Sequence, residues 1–355
     1  MLSRLWQGRQ KKVLGLDIGA SAVRLVELSR NGDRYRLERF AVEKMPVNAM
    51  SENDIKDVNA VASAVKGAFI RSRSKVSDCA VAVSSSQVII KTVTMPAGLS
   101  ESELEEQIKA EASQYIPYPM EEVNLDFAVG DRVGDGDAVE VLLVASRSEN
   151  VDVRIAVLEQ AGLNAAVMDV ETFALENAFS LVSAQMADVA SVHTVALINV
   201  GDATTTLVVL RDGKGIYSRE QMFGDIQLTE AIQQHYGLSQ EQAEQARRSN
   251  ELPHDFGTEV LPAFRRAVAQ QASRLLQFFF SASGVSHVDR IMLSGECAKL
   301  PDLAETVTET IGIPATVANP FAGMVIPSTI SIPELQKESP AMMVACGLAL
   351  RSFDE

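Results

Sequence analysis

The chain has 355 residues, 46% of them hydrophobic, and carries 47 acidic against 32 basic side chains for a net charge of -15. A chain of this length can bury roughly 75% of its unfolded surface and holds two or more domains. The acidic balance argues against broad nucleic-acid binding, which needs cations to displace counterions. Cys79, Cys297 and Cys346 lie far apart with no Cys-x-x-Cys pair, so a zinc ribbon, redox motif or disulfide framework has no support and a reducing compartment fits. His193, His235, His254 and His287 show no metal spacing.

Residues 1–12 read as a tail bearing Arg4, Arg9, Lys11 and Lys12, and the apolar run behind it, Val13 to Leu16, is too short for a signal peptide. Leu2, Leu5 and Trp6 beside those cations could touch an anionic membrane surface, although a frayed terminus is the plainer reading. No stretch approaches the roughly 18 apolar residues of a membrane span; Leu275 to Val285 comes nearest and is broken by Gln277 and Ser281. A soluble protein is expected.

Leu16 to Leu28 reads as a strand that breaks at Asp17 and Gly19 and resumes as a second strand. A second copy follows 182 residues later, from Ile198 to Leu210, with Gly19 matching Gly201, Leu25 matching Leu207 and Leu28 matching Leu210. The match is read on through the hairpin turns, with Asn31-Gly32 facing Asp212-Gly213, and Tyr35 and Glu38 facing Tyr217 and Glu220. Two related halves are implied. After the first hairpin, Leu37 to Met45 continues as a strand, Pro46 to Glu52 is a loop, Asp57 to Phe69 has helical spacing, and Cys79 to Val83 suits a buried strand.

From Ser84 the texture changes. Val88 to Met95 alternates as a strand, and Ser100 with Glu103 makes a capping box for a helix from Glu101 to Tyr115, which Pro117 and Pro119 stop. Strands at Val123 to Val129 and Val139 to Ala145 follow, joined by a hairpin turn at Gly130 to Asp137. This strand-helix-strand-strand unit looks inserted, because a helix from Asn150 to Ala161, a strand from Ala165 to Val170 and a helix from Glu171 to Met186 resume the earlier α/β pattern.

The second half opens with the repeated strand at Thr194. Helices are expected from Ile226 to Tyr236, from Glu241 to Asn250 behind a Ser239/Gln242 capping box, and from Thr258 to Ser283. Val288 to Leu293 is a strand entering Ser294-Gly-Glu-Cys-Ala298, Leu303 to Ile311 a helix and Thr316 to Ala318 a last strand. A proline-punctuated loop leads to an apolar helix from Pro340 to Phe353.

One Asp-x-Gly turn is a weak signal, but two at equivalent positions of a repeat point to a phosphate clamp, with structural turns in an old duplication as the alternative. Glycine lets a phosphate approach backbone N–H groups, offered here by Gly19, Ala20 and Ser21 in the first loop and by Gly201, Ala203, Thr204 and Thr205 in the second. Arg24 joins the first set. Gly295, with Glu296 and Ala298, follows a buried strand where an open α/β sheet binds ligands, and suits the base of a nucleotide; an ordinary strand-loop-helix junction reads equally well. Gly224 precedes a helix N-terminus and is suited to approach a phosphate or ribose.

Loops in this order resemble the actin, hexokinase and sugar-kinase superfamily, with phosphate loops at 16–21 and 198–205 and an adenosine loop at 293–298. The inserted unit resembles the arrangement in the cell-division protein FtsA, and within that group the chain is similar to the PilM family, the actin-like cytoplasmic component of type IV pilus assembly. The resemblance rests on Leu99-Ser-Glu-Ser-Glu-Leu-Glu-Glu-Gln107, Gln114-Tyr-Ile-Pro-Tyr-Pro119, Leu276-Gln-Phe-Phe-Phe280, Val317-Ala-Asn-Pro-Phe321 and Cys346-Gly-Leu-Ala-Leu-Arg-Ser-Phe353. It implies an α/β actin-like ATPase fold of duplicated, ribonuclease H-like halves with the small domain inserted. The expected division is a first half of 13–84 and 165–190, an inserted domain of 85–164 and a second half of 191–355, with 340–353 packing back on the first half.

The resemblance further implies ATP or ADP with Mg2+ between the halves, with Asp17 as the metal carboxylate. Two departures bear on activity. Asn199 stands where the superfamily usually has an aspartate, and Glu296 where a second glycine is common. Asparagine keeps the shape but loses the charge, and hydrogen bonds to ionised partners are roughly twice as strong as neutral ones. Nucleotide binding is therefore expected, with at most weak hydrolysis. Glu171 is a candidate water-orienting residue, its alternative being an acidic first-turn residue favoured by the helix dipole. Arg247 matches in type a basic residue that relatives place near the ribose; a solvated helix face is the alternative.

By the same resemblance the partner is the cytoplasmic N-terminal peptide of PilN, held in a groove beside the inserted domain, with other platform proteins of the pilus inner-membrane complex nearby. The protein would be cytoplasmic, peripheral to the inner membrane through its partners, and open to self-association. Rival readings are a slow ATPase or small-molecule kinase, and an FtsA-like filament. Ser352-Phe-Asp-Glu355 offers no amphipathic tail of the FtsA kind, which weighs against direct anchoring.

Overall fold

A computed structural model describes residues 12–354 except 52, 187–191 and 250. Residues 1–11, with Trp6 and nearly all of the expected tail, lie outside the described residues.

In chain order, β1 (Leu14–Ile18), β2 (Ala22–Asn31) and β3 (Arg34–Lys44) form a meander, followed by the small hairpin β4 (Met50–Ser51) and β5 (Asp54–Ile55). Helix α1 (Val58–Ser72) starts at Asp57, whose carboxylate accepts the Ala60 N–H, and leads into β6 (Asp78–Val83). Then come β7 (Val88–Pro96), α2 (Glu101–Ala112), β8 (Val123–Val133), β9 (Ala138–Arg147), α3 (Ser148–Ala161), β10 (Asn164–Val170) and α4 (Glu171–Val182). The second run is β11 (Thr194–Val200), β12 (Thr204–Arg211), β13 (Lys214–Met222), α5 (Ile226–Tyr236), α6 (Gln240–Ser249), α7 (Val260–Ser283) and β14 (Arg290–Ser294). It ends with α8 (Leu303–Ile311), β15 (Ala315–Val317), α9 (Ile332–Glu338) and α10 (Met343–Ala349).

Two five-stranded sheets have the same build. The first runs β3-β2-β1-β6-β10 and the second β13-β12-β11-β14-β15, each with the meander antiparallel and the last two strands parallel. The repeat is kept residue for residue in the first hairpin of each: Leu16 faces Leu25 as Ile198 faces Leu207, and Asp17 faces Arg24 as Asn199 faces Thr206. It does not continue through the second hairpin. There Tyr35 faces Arg30 but Tyr217 faces Val209, so Tyr35 and Tyr217, and likewise Glu38 and Glu220, do not occupy equivalent places. The reason is turn chemistry: Asp212 and Gly213 both take positive φ and turn the chain early, whereas in the first half Gly32 takes positive φ without its neighbour Asp33.

The layers follow from which face each strand turns inward. Leu14, Leu16 and Val23 pack outward under α1 and α3, while Ile198, Leu207 and Leu293 pack outward under the helices α5 to α8. Between the sheets lie α4 and α10, where Ala174, Leu175, Phe179 and Leu348 meet Val195, Leu197 and Val208. A third sheet, β7-β9-β8, sits apart and is covered on one face by α2 through Leu104, Ile108 and Ala112. This is an α/β fold of the duplicated actin type carrying a strand-helix-strand-strand unit, as the sequence leads one to expect. Among the described residues no helix is long and apolar enough to cross a membrane.

The C-terminal region departs from the expected single helix. Only Met343–Ala349 is α-helical, flanked by tight 3-10 turns at Ser339–Met342 and Leu350–Phe353. The Pro340 carbonyl accepts the Gly295 N–H at 2.8 Å and so serves the neighbouring loop. Helix α10 crosses β1 at Gly15 and α4 at its own Gly347, and a Cβ on either glycine would overlap a backbone carbonyl, of Ala345 and Ala174 respectively. Helix α9 occupies part of the stretch read as loop; Pro333 in its first turn, where its missing N–H is harmless, is the start signal that was there to be seen. Helix α4 ends at Val182, with a 3-10 turn at Ser183–Gln185 replacing its expected last turn.

Candidate functional site

The two equivalent loops, Asp17–Ser21 and Asn199–Ala203, face each other across a cleft of about 550 Å³ of empty space open to solvent. Each turns the same way. Gly19 N–H donates to the Ala22 carbonyl at 3.0 Å and Gly201 N–H to the Thr204 carbonyl at 2.9 Å, so both glycine amides are consumed in shaping their loops. Asp17, Gly19, Ala20 and Arg24 line the cleft from the first half. From the second half come Asn199, Gly201, Ala203 and Thr204, together with Gly295 and Glu296 of the expected base loop. Gly295 has φ of 91° and no room for a Cβ against the Val200 carbonyl, so the chain can enter this loop only with glycine. Glu171, at the head of α4, also faces the cleft.

Other sequence candidates are placed outside this lining. Thr205 is buried and spends its hydroxyl on the Phe223 carbonyl at 2.7 Å. Gly224 packs so tightly that a Cβ would stand 2.5 Å from the Asp202 carbonyl, and its N–H goes to Gln227 Oε1 at 2.6 Å. Arg247 is paired with Asp225 at 2.7 Å and donates to Thr229 Oγ1 at 2.7 Å, which is neither a solvated face nor a place in the cleft wall. Ala298 is buried in the turn Glu296–Lys299. Ser21 stays at the rim with both its donors engaged by Asp202.

Charge in the cleft is arranged as a ladder. Arg24, only 4% exposed, donates to Glu296 Oε2 at 2.6 Å and stands 3.6 Å from Asp17 Oδ2. Glu296 is held from its other side by Lys299 at 2.9 Å, which also reaches Glu338 at 2.6 Å. Burial alone would push the Glu296 carboxyl up, but Arg24 and Lys299 hold it below its ordinary value. Burial likewise works against the Arg24 cation, and the carboxylates of Glu296, Asp202 and Asp17 outweigh it. Burial raises Asp17 to about 6, with Arg24 opposing and Asp202 adding. Burial raises Glu171 further, to about 8, helped by Glu220 and Asp17 against Arg154.

Sequence reasoning missed three residues here. Asp202 reaches across to the first loop, Asn53 lines the cleft, and Glu220 of β13 accepts from Asn53 Nδ2 at 3.2 Å and Ser84 Oγ at 3.3 Å. Asn199 does not point at a carboxylate partner; its Oδ1 accepts the Ser294 hydroxyl at 3.0 Å. Asp202 alone left a trace in the sequence, since it replaces Ala20 in the repeat.

A smaller cleft of about 180 Å³ lies on the third sheet, between Ile89 of β7, Val123 of β8, and Ile116 and Tyr118 beyond α2. Gln87 and Arg147 line it too, and the Gln87 Oε1 and Arg147 Nε atoms are buried without a hydrogen-bond partner. The Arg147 guanidinium lies 5.1 Å from the Tyr118 ring centroid. Buried polar atoms left unmatched cost roughly 1–3 kcal/mol each, so this cleft is suited to receive a backbone that supplies their partners.

Comparison with known proteins follows the same lines. A family model described as type IV pilus assembly protein PilM matches residues 15–353. The structure is similar to that of a chain in a PilM-PilN type IV pilus biogenesis complex, with 29% identity and a TM-score of 0.82 over 98% of this chain and 100% of that one. It is also similar in fold to the ethanolamine utilization protein EutJ from Carboxydothermus hydrogenoformans, with 15% identity and a TM-score of 0.57 over 95% of this chain and 89% of that one.

Proposed function

The chain belongs to the family of type IV pilus assembly protein PilM, and from that premise we propose that it is a nucleotide-holding, cytoplasmic scaffold of the pilus inner-membrane complex. The observation that carries the partner is the similarity, over 98% of this chain and the whole of the other, to a chain in a PilM-PilN complex. The N-terminal cytoplasmic peptide of PilN is the proposed ligand of the cleft on the third sheet. Ile89, Ile116 and Val123 would take an apolar side chain, and Gln87 Oε1 and Arg147 Nε would meet main-chain N–H and C=O groups of an extended peptide. Attachment to the membrane is through such partners. The division into 13–84 with 165–190, 85–164 and 191–355 is part of the same reading.

ATP or ADP with Mg2+ is the proposed occupant of the cleft between the loops. The residues present fit it: two facing turns of the kind that admit phosphate, an almost fully buried arginine with an unpartnered Nε, and one first-loop carboxylate, Asp17. Bound magnesium would neutralise phosphate charge among these carboxylates. Turnover is a different matter. Glu171, raised to about 8, keeps its proton at neutral pH and is a poor base there, and Asn199 brings no charge to the second loop. Binding without efficient hydrolysis is the result.

Calorimetric titration of the purified protein with a synthetic PilN N-terminal peptide, with and without Mg-ATP and with Asp17→Ala, tests both halves of this reading. Peptide binding that strengthens with Mg-ATP and loses that gain in Asp17→Ala is expected. Equal peptide affinity in all arms would remove the coupling, and lack of peptide binding would remove the partner.

A further inference from the structure

The repeat places Asp202 opposite Ala20, so only the second loop carries a carboxylate at its tip. That carboxylate is half-buried at the rim of the cleft. It crosses the cleft and takes both donors of Ser21, the N–H at 2.9 Å and the hydroxyl at 2.5 Å. Its Oδ2 lies 3.0 Å from the place a Cβ on Gly19 would occupy, and Arg24 Nη1 lies 3.0 Å from that same place. A carboxylate whose Oδ2 takes a loop N–H beside a guanidinium and whose Oδ1 takes a hydroxyl is in the surroundings that two oxygens of a phosphate seek.

We propose that Asp202 is a built-in substitute for phosphate: a latch that ties the first loop to the second and must give way when a nucleotide phosphate takes Ser21. The inference rests on the nucleotide reading above and adds a residue and a direction to it. Binding then involves an exchange of one anion for another, and its affinity is set by the difference between them. The exchange also has somewhere to go. The main-chain carbonyls of Gly201 and Asp202 accept the N–H groups of Asp225 at 3.0 Å and Ile226 at 2.9 Å, the entry to α5. Asp225 in turn holds Arg247 at 2.7 Å. Displacing Asp202 therefore pulls on a helix terminus and its ion pair.

The test uses the full chain and its Asp202→Ala and Asp202→Asn variants. Amide hydrogen exchange over residues 19–23 is measured without nucleotide, and calorimetry is run with Mg-ATP and with ADP in the absence of metal. Without nucleotide, exchange at Ser21 should be about tenfold or more faster in Asp202→Ala, and both nucleotides should bind about tenfold tighter, because a charge-assisted contact no longer competes. The Asn variant, which keeps the shape and loses the charge, should fall between. Unchanged or weaker binding of both nucleotides, with the wild type still binding, overturns the latch and leaves the nucleotide reading standing. Weaker binding with Mg-ATP alone makes Asp202 a metal carboxylate, which also overturns it. If none of the three proteins binds nucleotide, the nucleotide reading fails and the phosphate-mimicking latch falls with it, whatever the Ser21 exchange.

Discussion

The two halves share a sheet and differ in what they set against it. At equivalent positions on the inner faces, the first half has Gly15 in β1 and the second has Leu197 in β11. Gly15 admits the backbone of α10, whereas Leu197 is itself fully buried as a side chain among α4 residues. The loops diverge in the same manner, with Asp17 against Asn199, Ala20 against Asp202, and Arg24 against Thr206. Geometry is held in common and chemistry is divided, so that each half lacks what the other supplies.

The harshest way to break this comparison is to copy one half into the other. Gly15→Leu would drive a side chain into the α10 backbone, and a loss of about 3 kcal/mol or more, or no folded protein, is expected in urea unfolding. Arg351 is next. It grips the buried Asp169 of β10 through two contacts, at 2.6 and 2.9 Å, and Arg351→Met leaves that carboxylate unpaired, for a loss of about 3 kcal/mol by the same measurement.

Glu171 sits where the halves meet, and its pH dependence sharpens the picture. Its folded pKa is about 8 against an ordinary 4.5, so between those values the folded chain keeps a proton that the unfolded chain has lost. Stability therefore falls as pH rises through this window. Glu171→Gln should flatten that slope, being more stable than wild type by about 2 kcal/mol at pH 6 and equal to it below pH 4.5, as read from thermal melts across pH. The smallest expected effect is on chemistry. Asn199→Asp returns a carboxylate to the second loop and should raise phosphate release from Mg-ATP about tenfold, a change of about 1.4 kcal/mol; a wild type already turning over robustly would show that Asn199 is no handicap.

The sequence carried the halves because a β-hairpin with an Asp-x-Gly break is a local pattern, and its copy kept register from Leu16 through Leu28 without insertion. It carried less of what depends on distant partners. The early turn at Asp212-Gly213 shortened the second arm, an effect that two positive φ angles produce and residue matching does not reveal. Thr205 has the residue type expected of a phosphate loop, yet strand alternation turns it to Phe223. Arg247 has the charge expected near a ribose, but Asp225 claims it. The contact between Asp202 and Ser21 joins residues 181 apart, and nothing local in either loop announces it.

One small contact near the two ends of the fold has a temporal side. The Ser352 hydroxyl bonds both the N–H and the carbonyl of Val13, at 2.9 and 3.0 Å, and α10 lies just before it against β1. The strand formed from the earliest described residues is thus completed by some of the latest. While the ribosome is still making the chain, the part of the first sheet's inner face that α10 covers stays bare, and contacts of such long sequence separation form late. The α10 contact is late in synthesis and late in assembly alike, and the apolar strip it covers, Val26, Leu28 and Leu37, is the part of that sheet left exposed longest on the nascent chain.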